Sequence, residues 1–176
     1  MKFPLPAPGG RGAGERGVLR SLLFVLLLSS CGYRFTAPNA SLPVKSARVP
    51  MFQNRTAEPA AEMTFTQAAR DQLERAGRLG GDDAEGILEG VILGIGSGPF
   101  LTAPSLPKQP AFRMTATISL TLTKGGVPVG STTVSVSEEF PSGADPLLTE
   151  SNRAAALKRL ADASIREGFE RLQSPQ

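Results

Sequence analysis

The segment Phe112 to Thr123 constrains the fold more than any other stretch of this 176-residue chain. Its even-numbered residues are all apolar and its odd-numbered residues are all polar. Such strict alternation predicts a long β-strand with one buried face and one polar face. Lys124-Gly125-Gly126 predicts a tight turn, because glycine tolerates positive φ, and Val129 to Phe140 predicts the partner strand of a hairpin. The chain is therefore expected to fold around an antiparallel pair of strands.

Four further segments predict the remaining elements. Lys45 to Gln53 alternates and predicts a strand, in which Pro50 indicates an edge position or a bend. Ala84 to Gly96 predicts a second strand, and amphipathic helices are predicted from Pro59 to about Ala76 and from the Asp145 region to about Leu172. The element order is β-α-β-β-β-α. The economical way to bury both helical stripes is an α+β two-layer sandwich, in which a four-stranded mixed sheet carries two helices on one face.

Glycines recur at alternate positions in the predicted second strand. Gly90, Gly94 and Gly96 share one face in regular alternation, and the odd-numbered residues between them, all apolar, share the other. Several glycines on one face of a strand indicate either a close approach by another group or a bent strand.

The charge of the chain is concentrated at its N-terminus. The chain has 19 basic residues, 16 acidic residues and no His, which gives a formal charge of +3. Residues 1–30 hold four of the basic residues and one acidic residue, so the whole excess lies there. The neutral remainder gives no indication of nucleic-acid binding. Without His there is no imidazole for acid–base catalysis and no His-bearing zinc site, and we predict neither a metal nor a cofactor.

The first thirty residues have the pattern of a secretory signal. Basic residues precede the short apolar run Leu22 to Leu28, which is followed by Ser29, Ser30 and the single cysteine, Cys31. The run is far shorter than the roughly 20 apolar residues that a spanning helix needs. A free cysteine behind an ordinary signal is the alternative to a lipid attachment site at this position.

The sequence Leu28-Ser29-Ser30-Cys31 resembles a bacterial lipobox. The resemblance implies that Cys31 becomes the mature N-terminus and carries an S-diacylglycerol group and an N-palmitoyl group. Gly32 differs from the Asp that commonly retains lipoproteins in the inner membrane, which favours the outer membrane. We therefore expect a signal peptide over residues 1–30, a lipidated tether over 31–43 and an α/β domain over 44–173.

Four pieces of sequence, in this order, resemble the lipopolysaccharide-assembly lipoprotein LptE family. They are Cys31-Gly32-Tyr33-Arg34-Phe35, Val49-Pro50-Met51-Phe52-Gln53-Asn54-Arg55-Thr56, Leu73-Glu74-Arg75-Ala76-Gly77 and Asp83-Ala84-Glu85-Gly86-Ile87-Leu88-Glu89-Gly90. The resemblance implies a lipid-anchored outer-membrane protein with no enzymatic activity. Such a protein sits as a plug inside the β-barrel partner LptD, helps it to assemble, and with it delivers lipopolysaccharide to the cell surface.

The resemblance also implies a lipopolysaccharide site near the loop that precedes the third strand. In this chain the candidate cations there are Lys108 and Arg113, which could pair with lipid A phosphates. Phe100, Leu101 and Leu106 are candidates for contact with acyl chains or with the barrel wall. The alternative is a proline-stiffened connection whose apolar residues fold back onto the sheet.

A second basic region of the family lies near the start of the last helix. The corresponding residues 143–151 contain no basic residue here, and Arg153 lies within the predicted helix. This departure puts that half of the family's site in question for this chain.

Two other functions are compatible with parts of the sequence. A pilotin, or an assembly factor for a different envelope machine, would have the same anchor and a similar small domain. A lipid-anchored hydrolase could use Glu138 and Glu139, but adjacent strand residues point to opposite faces, so these two cannot form a facing acid–base pair without a bulge. Glu138 shares a face with Val134 and Val136, which predicts a bulge or an exposed strand end at that position.

Overall fold

A computed structural model describes residues 42–100 and 111–173. The elements, in chain order, are β1 (Ala47–Arg48), β2 (Gln53–Asn54), α1 (Ala61–Arg75), β3 (Gly86–Phe100), β4 (Ala111–Lys124), β5 (Val127–Pro141) and α2 (Pro146–Gln173). The sheet order is β1-β3-β4-β5, and β2 also pairs with β3. β3 and β4 pair antiparallel, as do β4 and β5, whereas β1 and β2 run parallel to β3. The predicted α+β fold with a mixed sheet is confirmed.

The predicted first strand is broken into two short pieces. Ala47 pairs with Gly86 in one piece, and Gln53 pairs with Val91 in the other. Pro50 has no N–H for the ladder, which favours the break. The N–H of Phe52 donates to Thr66 Oγ1 of α1 at 2.9 Å, so this segment is tied to the helix layer as well as to the sheet.

Both helices pack on the same face of the sheet. The even-numbered residues of β4 from Met114 to Leu122 are fully or almost fully buried, as their alternation predicts. They pack in one core with α1 residues such as Phe65 and α2 residues such as Leu160 and Ile165. Burial of this continuous apolar face is the main stabilising contribution to such a two-layer domain.

A β-bulge in β3 changes which residues face the core. The pairing with β4 shifts register between Ile92 and Gly94, so that Leu93 is the extra residue and is 43% exposed. Before the bulge the even-numbered residues face the helices, and after it Ile95 packs against the core. The single alternation expected along this strand is therefore wrong, because a bulge exchanges the two faces.

Gly90 shows the close approach that the glycine pattern indicated. A Cβ atom on Gly90 would lie 2.3 Å from Cε2 of the buried Phe52 ring. The ring therefore occupies the space that any larger residue at position 90 would need. At the hairpin between β4 and β5, Gly125 and Gly126 have φ values of 57° and 80°, which confirms the predicted tight turn.

Candidate lipid and partner interface

Three strand ends meet at one end of the sheet, which we call the distal end. Phe100 at the end of β3 pairs with Ala111 at the start of β4, and Ala111 pairs with Pro141 at the end of β5. α2 begins shortly afterwards, at Pro146. The ends of β3, β4 and β5 thus lie at the end of the sheet from which the chain continues into α2.

Arg113 lies at the distal end and is already engaged by two neighbours. Its Cζ atom lies 3.7 Å from the centroid of the Phe100 ring, which is a close cation–π contact. Its Nη2 atom lies 2.7 Å from Glu139 Oε1, directly opposite on β5. Two of the candidate residues, Arg113 and Phe100, are therefore in direct contact, and Glu139 neutralises the charge of Arg113.

The other candidate residues of the sequence lie outside the described residues. These are Cys31, Leu101, Leu106 and Lys108. Their assignments remain predictions.

On the helix side of the distal end there are two further contacts, a stacked pair of aromatic rings and an ion pair between the sheet and α2. The rings of Phe112 and Phe140 stack with centroids 5.4 Å apart. Glu138 Oε2 lies 3.6 Å from Nε of Arg159, which belongs to α2. Pairing of β4 and β5 is regular through Glu138, so the bulge suggested there is absent, and the carboxylate is covered by the arginine instead. Glu138 and Glu139 face opposite sides of the sheet, as expected.

The start of α2 presents apolar side chains beside this end. Asp145 accepts a hydrogen bond from the Leu148 N–H at 2.8 Å, which is the pattern of an N-cap. Leu147 is 84% exposed and Leu148 is 47% exposed. The start of α2 thus leaves two leucines exposed beside the turn that follows β5, and sequence spacing alone did not reveal this.

Arg153 ties the last helix to the loop before α1. Its Nη1 atom donates to both carboxylate oxygens of Glu58, at 2.8 and 2.9 Å, and its Nε atom lies 2.9 Å from Glu150 Oε2. Hydrogen bonds to Glu150 and then to Glu58 raise the pKa of the guanidinium above its ordinary value, and Arg153 lowers the pKa of Glu150. Asn54 supports the same loop, because its Nδ2 atom donates to the Glu58 carbonyl at 2.8 Å. Arg153 therefore links α2 to the loop before α1.

The opposite end of the sheet carries another ion pair. Lys124 Nζ, at the hairpin turn, lies 2.7 Å from Glu85 Oε1. The hydrogen bond from Lys124, followed by that from the Lys45 N–H, lowers the pKa of Glu85. This ion pair connects the β4–β5 turn to the residue that precedes β3.

An open groove of about 700 Å³ runs between β5 and α2. It is lined by Val136 and Glu138 and by the helix surface from Ala163 to Arg171, which carries both signs of charge.

Within residues 42–100 and 111–173, no group of acidic, His or Cys side chains is arranged to hold a metal ion. No helix in those ranges is both long enough and apolar enough to cross a membrane.

The described residues form a small α+β domain with two helices on a mixed sheet. The chain belongs to the lipopolysaccharide-assembly LptE family, whose sequence model matches residues 44–172. The family is one of non-catalytic assembly lipoproteins, so the chain is not an enzyme. No curated protein sequence matches the chain.

Solved structures of bacterial proteins share the fold. A candidate lipoprotein from Caulobacter crescentus has 18% identity and a TM-score of 0.50, covering 70% of this chain and 88% of its own. The hypothetical protein CT253 from Chlamydia trachomatis has 10% identity and a TM-score of 0.50, covering 74% of this chain and 96% of its own. At these identities the likeness concerns the fold alone.

Proposed function

We propose that this protein is an outer-membrane lipoprotein that acts with an LptD-like β-barrel in lipopolysaccharide assembly at the outer-membrane surface. Its domain serves as a plug and assembly partner of the barrel, facing the periplasm or lying inside the barrel lumen. The observation that carries the proposal is the family match over residues 44–172.

The N-terminal segment supplies the anchor in this proposal. Residues 1–30 form a signal peptide that is removed before Cys31, which then carries the S-diacylglycerol and N-palmitoyl groups. Residues 31–43 form the tether, and residues 44–173 form the domain. One acyl chain holds a protein only marginally on a membrane, whereas the three chains of a mature lipoprotein give stable attachment. The support is the position of the single cysteine directly after the short apolar run.

Direct contact with lipopolysaccharide is proposed at the distal end, through Lys108 and Arg113. The supporting geometry is that the Arg113 guanidinium lies against the Phe100 ring, which places a cation beside an apolar side chain. Lipid A offers phosphates and acyl chains together, so it requires cations beside apolar surface. Because Glu139 already pairs with Arg113, a phosphate has to displace that carboxylate or share the guanidinium with it.

Paired charge reversals test this site. Lys108→Glu with Arg113→Glu should weaken binding of purified protein to lipopolysaccharide. Lys158→Glu with Arg166→Glu makes the same change in charge on the exposed helix surface, and it should leave binding intact. Equal binding by both double variants would refute the assignment of the site.

The function itself is tested by purification of the full-length lipoprotein from outer membranes in mild detergent. The proposal predicts that a large outer-membrane β-barrel co-purifies in about equal amount. Recovery of a different envelope machine without the barrel would contradict it and would support the pilotin-like alternative.

A further inference from the structure

The strand β5 lies at the edge of the described sheet. It is 15 residues long, and among residues 42–100 and 111–173 only β4 pairs with it. The pairing is regular from Gly130 to Pro141, so each residue of β5 turns its N–H and C=O either toward β4 or away from it, in alternation. A long exposed edge of this kind is a template for pairing with another chain unless something covers it.

The middle of β5 has the composition of a strand that self-associates. Residues 132–137, with the sequence Thr-Thr-Val-Ser-Val-Ser, include four β-branched residues and have no charge, Pro or Gly. Short segments with high β propensity and without charge or proline are the ones most prone to pairing between molecules. Pro128 and Pro141 lie near the two ends of the strand, and Glu138 follows the segment, but none of these lies within it. Residues 132–137 therefore need protection from another part of the fold.

Two arginines of α2 bond to backbone carbonyls on the outer side of β5. Arg171 Nη1 donates to the Thr133 carbonyl at 2.9 Å. Arg159 Nη2 donates to the Glu139 carbonyl in a longer contact of 3.4 Å. Both arginine side chains are 51% exposed, so they lie over the edge of the sheet and not in the core. The two guanidinium groups thus occupy acceptors that a further strand would need.

The two occupied carbonyls are symmetric about Val136, because Thr133 precedes it by three residues and Glu139 follows it by three. Suppose that two copies paired their β5 edges antiparallel about a two-fold axis at Val136. Thr133 of one copy would then lie opposite Glu139 of the other, at both ends of the paired segment. Both carbonyls are already occupied there, and Arg171 of one copy would meet Arg159 of the other as a like charge. The arginines therefore oppose the register that pairs the middle of β5 with itself.

We infer that Arg159 and Arg171 cap the β5 edge and keep the protein from pairing with a second copy of itself through this strand. A guanidinium on a carbonyl blocks the incoming N–H, and its displacement would cost a hydrogen bond to a charged donor. The inference goes beyond the function proposed above and does not depend on it, since it concerns self-association alone.

Sedimentation equilibrium of the full-length lipoprotein in density-matched detergent measures self-association. Arg159→Met with Arg171→Met keeps much of the apolar stem of each side chain and removes the donors. Lys158→Met with Arg166→Met is the matched control, because it removes two positive charges from exposed positions on the same helix. We expect association to strengthen at least about tenfold in the first variant, since the freed carbonyls can bond to a second copy, and to stay at the wild-type level in the control.

A proline substitution identifies the surface that associates. The N–H of Ser135 points away from β4, like the carbonyl of Thr133 two residues earlier, so Ser135→Pro leaves the β4–β5 ladder intact and removes a donor from the outer edge. Added to Arg159→Met and Arg171→Met, it should abolish the gain in association.

Three results would overturn the inference. They are an unchanged association after both arginines are replaced, an equal increase in the control, and an increase that Ser135→Pro does not remove. If the double arginine variant does not fold, Arg171→Met alone supplies the test, because this residue lies in the last turn of α2. It should give a smaller increase than the double variant, again reversed by Ser135→Pro, and no increase would refute the inference.

Discussion

Replacement of Gly90 by alanine tests the packing between the first segment of the chain and the centre of the sheet. The added Cβ would lie 2.3 Å from Cε2 of Phe52, whereas carbon atoms in contact prefer about 3.5 Å or more, so the ring must retreat by about 1.2 Å. Phe52 is only 3% exposed, and its N–H is held by Thr66. The ring is therefore enclosed by the core, and its backbone is fixed by that hydrogen bond.

Overpacking of this kind costs about 2 kcal/mol of the free energy of unfolding. For a domain of this size, that loss lowers the unfolding temperature by roughly 8 °C. Gly96→Ala is the matched control, because a Cβ there meets nothing within 4 Å, and it should leave stability unchanged or raise it by up to about 1 kcal/mol.

Thermal unfolding of the detergent-purified protein, followed by far-ultraviolet circular dichroism, measures both variants. Adding Phe52→Leu to Gly90→Ala should recover part of the loss, since the smaller side chain frees the space. If Gly90→Ala unfolds at the wild-type temperature, the close packing of Phe52 on β3 is wrong.

Three further predictions concern ion pairs. Arg153→Met should lower the free energy of unfolding by about 1–2 kcal/mol, because its ion pair is partly buried, and Arg153→Lys should cost less; urea unfolding that ranks them equally would contradict this. Glu139→Gln should raise lipopolysaccharide affinity about twofold in a binding titration by freeing Arg113, and an unchanged affinity would exclude competition between carboxylate and phosphate. Lys124 lowers the pKa of Glu85 in the folded protein below the ordinary 4.5, so this carboxylate stabilises the fold above that pH and loses its contribution as the pH falls further. Glu85→Gln should therefore flatten the acid side of a plot of stability against pH, and an unaltered slope would contradict the shift.

The strongly periodic segments of the chain were predictable because a single physical pattern decided them. β4 is buried at every even position from Met114 to Leu122, as alternation requires, and the turn at Gly125 and Gly126 follows from backbone freedom at glycine. Both helices were also expected from their apolar stripes. In these segments local propensity and tertiary packing favour the same structure.

The first strand and β3 departed from prediction where tertiary contacts overrode local pattern. The break after Arg48 accompanies a hydrogen bond from the Phe52 N–H to the Thr66 hydroxyl of α1, which no periodicity in the sequence shows. The bulge at Leu93 depends on how β3 pairs with β4, so the sequence of β3 alone does not predict it. Sequence spacing nevertheless indicated that glycines in this strand needed an explanation.

The candidate interface was predicted only in part, because its contacts join distant residues. The sequence indicates Arg113 as a candidate cation, but its partner Glu139 lies on another strand, and no sequence pattern links the two. The contact between Arg153 and Glu58 spans 95 residues of sequence, so no local motif could reveal it. Pairings of this kind depend on the finished fold.

The central claim, a role with a β-barrel in lipopolysaccharide assembly, is tested most directly by depleting the protein from its native host. The measurement is the fraction of newly made lipopolysaccharide that reaches the cell surface, determined by surface labelling after depletion. The proposed function predicts that this fraction falls, and that re-expression of the lipidated protein restores it. An undiminished supply of lipopolysaccharide to the surface after complete depletion would contradict the proposed function.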